Sequence, residues 1–455
     1  MQLPAPLRGF LTASVLFTFL CLGTEAFCRW ALHWGNPYIY PGLQSFYDGN
    51  QHPVWFADFH AFFDKFHFFH SRLFYTQSAV LPYPAPAVAA YEPFLIPAPY
   101  PHHGMWALAR FEGTMLLVSW FLLWCWQRAL AAKGLKRGLA LAFVLVAYLC
   151  SFAFWFEFLQ GNIEWIVWSL LTIAVWAFYR QHLKTAAICI GIAGSMKLFP
   201  IIYLGLFLAG RRYRQVAYTL LAAAVSTVVS LWLVCPDIAY SWHQTVRALT
   251  SFEHDNISGV LPQVIGFNHS LFALANLVLA TLLGVRASHA SLGLYLLVVG
   301  VGGIVLFFTR IRHLPFTNQV LSLSIAAILL PPVSYDYTLL HLYPGLVLLS
   351  LYALHRERDS LPSLDRPLLA TLVVLAFLLS PESELIWHGV RYAGQVKAVA
   401  LLGLGYLCLR YPFSLPMPLR AGRSSQLGRT QVPLQAAPGS LLSSRLSRLE
   451  PFPVR

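Results

Sequence analysis

The stretch GLALAFVLVAYLCSFAFWFEFL, residues 138–159, decides how this chain reads. It carries one formal charge, Glu157. As a helix it extends about 33 Å, enough to cross roughly 30 Å of hydrocarbon. Outward from it, apolar runs of similar character recur at 106–127, 163–179, 215–235, 291–309, 318–333, 338–354, 367–380 and 392–410. The 455-residue chain is 58% hydrophobic and 11% charged, where ordinary soluble domains hold about 25% charged residues. Open sheets are excluded inside lipid because their edges would leave backbone groups unpaired. The short alternating segments of a β-barrel are absent. The expected fold is all-α, a polytopic membrane bundle of about 12 transmembrane segments.

A formal net charge of +13 raises nucleic acid as a partner, but its distribution argues otherwise. Basic residues cluster in short connections: Arg128, Lys133, Lys136 and Arg137; Arg180 and Lys184; Arg211, Arg212 and Arg214; Arg310 and Arg312; Arg356 and Arg358. Such clusters face the cytoplasm, and no base-reading motif accompanies them, so no nucleic-acid partner is expected. Placing them inside puts 31–105 and 236–290 outside, as two long extracytoplasmic loops carrying interfacial helices, one of them at 270–283. Segment 185–209 is flanked by basic loops on both sides and interrupted by KLFP at 197–200, so it reads as two half-helices. The N-terminal run reads as a retained first helix rather than a cleaved signal, because nothing downstream resembles a soluble secreted domain.

Residues 411–455 add six arginines, one glutamate and no hydrophobic span. That composition suits a disordered cytoplasmic tail lying against anionic membrane lipid, giving a membrane domain at 1–410 and a tail at 411–455. The seven cysteines show no metal-ligand spacing and read as small core residues.

Polar residues gather where spans end. In FADFHAFFDKFHFF (56–69), Phe59, Phe62, Phe63 and Phe66 recur at helical spacing. They predict a helix lying flat at the membrane surface, with His60 and Asp64 on its polar face. Asp58 reads either as that helix's N-cap or as a general base at the outer surface. FLQGNIEW (158–165) brings Gln160, Asn162 and Glu164 together at a turn. Lys197 lies in an apolar stretch, where a lysine implies a partner. GFNHSLF (266–272) offers Asn268, His269 and Ser270, and PPVSYDYTLLHLYPG (331–345) offers Ser334, Tyr335, Asp336, Tyr337 and His341. The assigned topology puts the opening loop, 158–165, 266–272 and 331–341 on one side of the membrane.

At these residues the chain resembles glycosyltransferase family 87, the polyprenyl-phosphate-mannose-dependent mannosyltransferases of the GT-C class. ADFHAFFD is similar to that family's first-loop DF motif, LPYPAP to its YPP segment, and QGNIEWIVWSLL to its GQ-x-N turn and following span. GIAGSMKLFPIIYLGLFLAGRRYR resembles its Gly-rich helix, lysine, proline and basic hairpin. FNHSLFAL resembles NQSL, and PPVSYDYTLLHLYP resembles SP-x-SW-x-H. The motifs run in order over roughly residues 55 to 350. The family's Trp and His of SW-x-H are Tyr335 and Tyr337 here, and QGN inverts GQ, so no histidine role carries to that position.

The resemblance implies a multi-pass enzyme of the bacterial plasma membrane that takes a hexose, by default mannose, from a polyprenyl-phosphate sugar. The acceptor would be lipid-linked or another extracytoplasmic glycan, and the transfer would invert the anomeric centre. Carried over by position, Asp58 is the catalytic base. Lys197, Gln160, Asn162, Asn268, His269, Ser334, Tyr335, Asp336 and Tyr337 would bind substrate. Chemistry agrees: an inverting transfer needs one carboxylate to take the acceptor proton, and a phosphate leaving group needs only donors to hold it. No DxD motif appears, so neither a metal nor a cofactor is expected. Two alternatives stand beside this reading: a transporter or flippase with Glu157 and Lys197 lining a pathway, and an inactive relative serving envelope assembly.

Overall fold

The computed structural model describes residues 2–30, 56–63, 65–76, 82–95, 103–253, 268–283, 289–358, 365–381, 386–387, 390–391 and 393–416. The chain opens with α1 (Ala5–Trp30), followed by three short helices, α2 (Ala57–Phe63), α3 (Leu73–Thr76) and α4 (Ala85–Leu95). Next come α5 (His103–Ala132), α6 (Arg137–Leu149), α7 (Phe152–Gln160), α8 (Glu164–Tyr179) and α9 (Leu183–Met196). After a 3-10 helix at Phe199–Leu204 follow α10 (Gly205–Ala209), α11 (Tyr213–Val234), α12 (Ile238–Glu253), α13 (Leu271–Leu283) and α14 (His289–Thr309). The last part holds α15 (Phe316–Leu329), a 3-10 helix at Asp336–Leu342, α16 (Tyr343–Arg358), α17 (Arg366–Leu379) and α18 (Ala393–Arg410). The fold is all-helical apart from a two-residue antiparallel ladder of β1 (Ile386–Trp387) and β2 (Val390–Arg391).

Among the described residues, five helices are long and apolar enough to cross a membrane, or six if the bent pair α6–α7 forms one span. Helix length alone therefore does not reach the dozen crossings expected from hydropathy. Five further apolar helices run only 10–17 residues, short of the roughly 20 residues a straight crossing takes. The stretch that looks most like a single span is one of these departures: 138–159 bends by 56° between α6 and α7. The bend turns on Cys150 and Ser151, where the first helix closes and the second begins. By contrast, the expected break in 185–209 is present. Lys197 is extended at φ −136° and ψ 133° after α9, and Pro200 enters the 3-10 helix beyond it.

Several long helices turn apolar faces outward, as a membrane crossing would require. Helix α14 exposes Leu294, Leu297, Val298, Val301 and Ile304, and α11 exposes Leu220, Leu221, Val225, Val228 and Trp232. Inside, α9 packs between α8 and α11. Its small residues let backbones approach: a Cβ on Gly191 would stand 2.4 Å from the Thr219 carbonyl oxygen. Helix α1 packs against α17.

Residues 411–416 belong to the helical body rather than to the tail. Asn318 Nδ2 donates to the carbonyls of Cys408 and Tyr411 at 2.7 Å each, and the Phe413 amide donates to Asn318 Oδ1 at 2.7 Å. The Tyr179 hydroxyl donates to the Pro416 carbonyl at 3.2 Å. The basic tail from 417 onward, most of the first long loop and Asp64 lie outside the described residues.

Candidate functional site

Local geometry begins with the turn between α7 and α8. Gly161 closes α7 in the left-handed region at φ 63°, its amide donating to the carbonyls of Glu157 and Phe158, an ending that favours glycine. Tyr91 Oη donates to the Gly161 carbonyl at 3.0 Å, and the Phe56 amide donates to the Leu159 carbonyl at 2.8 Å. Helix α2 thus lies directly on the turn. Two rings of the expected membrane-surface stripe instead face protein. Phe59 and Phe62 are fully buried, Phe62 stacked on Tyr91 at 4.0 Å and Phe59 set 5.3 Å from Phe111. The rings found a protein surface to bury against, which removes the reason to seek lipid.

That docking aims Asp58 inward. Asn162 Nδ2 donates to Asp58 Oδ2 at 2.5 Å and to Tyr83 Oη at 3.0 Å. The carboxylate therefore pairs with a side chain 104 positions away rather than serving only as a helix cap. Asn162 Oδ1 accepts from the Glu164 amide at 3.0 Å and from Lys197 Nζ at 3.3 Å. Lys197 Nζ also donates to Glu164 Oε2, while His341 Nε2 stands 2.6 Å from Glu164 Oε1. The Lys197 ammonium lies 4.6 Å from the centroid of the Tyr337 ring. Glu157 Oε1 accepts the Trp165 amide at 2.8 Å and fixes the start of α8. Burial lifts the Asp58 carboxyl above the usual carboxylate range, against the opposing pull of the Asn162 amide and the Lys197 charge.

A second network lies at the other end of the Asp336–Leu342 helix. Lys397 Nζ donates to Asp336 Oδ1 at 2.5 Å, and His269 Nε2 lies 3.3 Å from the same oxygen. Asn268 knits this region to residues 332–334. Its Oδ1 accepts from the Ser270 and Ser334 amides at 2.9 Å each, and its Nδ2 donates to the Pro332 carbonyl at 2.8 Å. The His269 amide donates to the Ser334 carbonyl at 2.8 Å. Tyr335 packs with Phe152 and Phe156, and Tyr337 stacks on Phe156 at 5.9 Å.

The sequence-derived candidates therefore fall into two groups. Asp58, Asn162, Lys197 and Tyr337 meet in the first network. Asn268, His269, Ser334 and Asp336 meet in the second, sealed from solvent, with Tyr335 beside the aromatic pair. Gln160 is buried at the end of α7 and takes part in neither set of hydrogen bonds. Glu164, His341 and Tyr83 complete the first network, and Lys397 completes the second. A lone lysine within an apolar run was the available signal for Lys397, as it was for Lys197. Among the described residues, no group of three or more His, Cys, Asp or Glu is arranged to hold a metal ion.

The first network offers a half-buried carboxylate of raised proton affinity, an ammonium 17% exposed, and an amide bridging the two. Such a set can take a proton from a hydroxyl and hold an anionic group nearby. The sequence profile of glycosyltransferase family 87 matches residues 82–334, more than half of the chain. No curated protein and no solved structure matches it.

Proposed function

The chain belongs to glycosyltransferase family 87, and from that premise we propose that this membrane glycosyltransferase moves a hexose, by default mannose, from a polyprenyl-phosphate sugar to a lipid-linked or glycan acceptor. The reaction runs on the extracytoplasmic face of a bacterial plasma membrane and inverts the anomeric carbon. The observation that supports this most is the link from Asp58 through Asn162 to Lys197. It sets a base and a cation on one bridging amide, the two groups that transfer from a phosphate donor uses.

In the proposed step the acceptor hydroxyl oxygen attacks C1 of the sugar and forms the new glycosidic bond. Asp58 takes the hydroxyl proton as that bond forms. The bond between C1 and the phosphate oxygen breaks, its electron pair stays on that oxygen, and polyprenyl phosphate leaves. Lys197 faces the leaving oxygen, and Glu164 and His341 hold Lys197 in place. Tyr337 and Tyr83, whose ring centroids lie 4.6 and 6.0 Å from the ammonium, wall the sugar. Asn268, His269, Ser334, Tyr335 and Asp336 act behind this surface, shaping the 3-10 helix that carries Tyr337.

The test is transfer by purified protein in detergent, supplied with radiolabelled polyprenyl-phosphate mannose and a membrane lipid extract. Label entering an acceptor with wild type and not with Asp58→Asn supports both reaction and base. Equal transfer by both moves the base elsewhere. No transfer with mannose or with any other polyprenyl-phosphate hexose overturns the donor assignment.

A further inference from the structure

Helix α12 (Ile238–Glu253) has three longitudinal faces rather than two. Ile238, Trp242, Val246 and Leu249 form one row and are 39–55% exposed. His243, Arg247 and Thr250 lie exposed on the adjoining face. Ser241, Thr245 and Ala248 are buried on the third, where Tyr75 Oη meets Ser241 Oγ at 2.7 Å and Thr245 Oγ1 at 3.3 Å. The small polar residues thus face protein, and the large apolar ones face outward.

One surrounding cannot satisfy all three faces. In water the apolar row would leave a tryptophan and three aliphatic side chains wet, against roughly 25 cal/mol per Å² of apolar surface. In the hydrocarbon interior, His243 and Arg247 would be costly. Only the boundary between lipid, water and protein suits the helix as built. Chain continuity agrees. Helix α11, whose outward face is apolar from Leu220 to Trp232, ends at Val234, and only Cys235, Pro236 and Asp237 separate it from α12. An open cavity of about 720 Å³ lies between them, lined by Ala224, Thr227, Val228 and Leu231 from α11 and by Ile238, Ala239 and Trp242 from α12. Its wall is nearly all apolar and continuous with the lipid-facing flank of α11.

Helix α12 is also tied to the segment that follows Asp58. Arg72 pairs with Asp237, and its guanidinium lies 5.1 Å from the Tyr240 ring. Tyr75 meets the same Tyr240 edge-on at 6.0 Å.

We propose that α12 is a membrane-surface foot whose Ile238–Trp242–Val246–Leu249 row sits among lipid chains, with the cavity against α11 holding one acyl chain, and that through Arg72 and Tyr75 it sets the depth of the first-loop segment. The occupant is a bilayer phospholipid, because the groove opens onto the same face that α11 gives to lipid.

The experiment uses the full chain in nanodiscs of phosphatidylcholine brominated at shallow or deep acyl positions. Subtracting the emission of Trp242→Phe from that of wild type isolates Trp242. The expected difference spectrum is blue-shifted and loses most of its intensity with shallow bromines, within roughly 5–10 Å of the interface. A red-shifted signal untouched by either lipid would mean that water or another protein covers this face, and would overturn the proposal. Stronger quenching by deep bromines would overturn the interfacial placement. Val246→Trp on the same row repeats the reading without removing Trp242, so a misfolded first variant does not decide it. Arg247→Trp, on the polar face, must stay unquenched; equal quenching there would refute the three-faced partition.

Discussion

Lys197–Glu164–His341 and Lys397–Asp336–His269 are the same chemistry: an ammonium and an imidazole on one carboxylate. Both depend on the 3-10 helix at Asp336–Leu342, one through His341 near its end and the other through Asp336 at its start. They differ in surroundings. The Lys397, Asp336 and His269 side chains are 1%, 5% and 0% exposed, so the second triad meets nothing but protein. Lys197 is 17% exposed and is shared with Asn162, which carries the first network on to Asp58. A triad that is sealed is a brace; the same triad with one open member and a free path to a carboxylate can meet a ligand. Residue type does not distinguish the two, and burial does.

The sharpest way to break this comparison is Asp58→Asn. Removing a positioned base lowers transfer by about 10²–10⁴-fold, while thermal unfolding in detergent stays close to wild type. The pH profile carries the sign. The base acts only when ionised, so transfer falls as pH drops through the Asp58 pKa, and burial sets that limb above the range of an exposed aspartate. Stability runs the other way. A folded-state pKa above the unfolded one gives a contribution fully present below the unfolded value and lost as pH rises through the folded one. In Asp58→Asn both dependences on this group should vanish, and an unchanged acid limb would show that another group governs it.

Lys397→Met tests the sealed side. It strands Asp336 beside a histidine in a buried setting, a change worth about 3–5 kcal/mol of stability. Denaturant or thermal unfolding measures it, and Lys397→Met combined with Asp336→Asn should recover most of the loss by removing both charges. A single-variant cost under about 1 kcal/mol, the range of exposed pairs, would mean the second network is open to solvent after all.

His341→Ala lies between these. Glu164 keeps Lys197 but loses a hydrogen bond to a charged group, about 1.5–3 kcal/mol. Because Lys197 is the open member, the loss should appear as a raised KM for the donor, with kcat falling less. A fall in kcat alone, with KM unchanged, would place His341 closer to the reacting atoms than behind Lys197.

How much of this was readable follows from the range of each signal. Apolar runs and the KLFP break are local, and they gave the helices and the interruption at Lys197. The gathering of Asp58, Asn162 and Tyr337 was legible in part, because the assigned topology put their three segments on one side, whereas Lys197 was linked to them only by the family resemblance. The division into two networks was not, since Asp336 and Tyr337 are neighbours in sequence yet join different lysines. Lys397 reads as a single charge in a span, and its partner is 61 positions away. The aromatic stripe has the right period for a membrane-surface helix, and only the positions of Tyr91 and Phe111 reveal that Phe59 and Phe62 belong to the core.

The smallest effect sharpens the comparison most finely, because it touches the open network without removing any of its members. Gly161→Ala forces a side chain into the left-handed region, costing about 1–2 kcal/mol. The new Cβ would also stand 2.8 Å from Phe59 Cβ, so α2 must move off the turn. Asp58 moves with α2, while Asn162 stays with α8, and the 2.5 Å bond between them opens. Transfer should therefore fall more than stability does, and the raised Asp58 limb should shift as its amide partner withdraws. Gly113→Ala is the control: nothing lies within 4 Å of its new Cβ, in the middle of α5, where alanine gains up to about 1 kcal/mol over glycine. If both alanines leave transfer unchanged, the turn does not position Asp58, and the base must be held from the loop side instead.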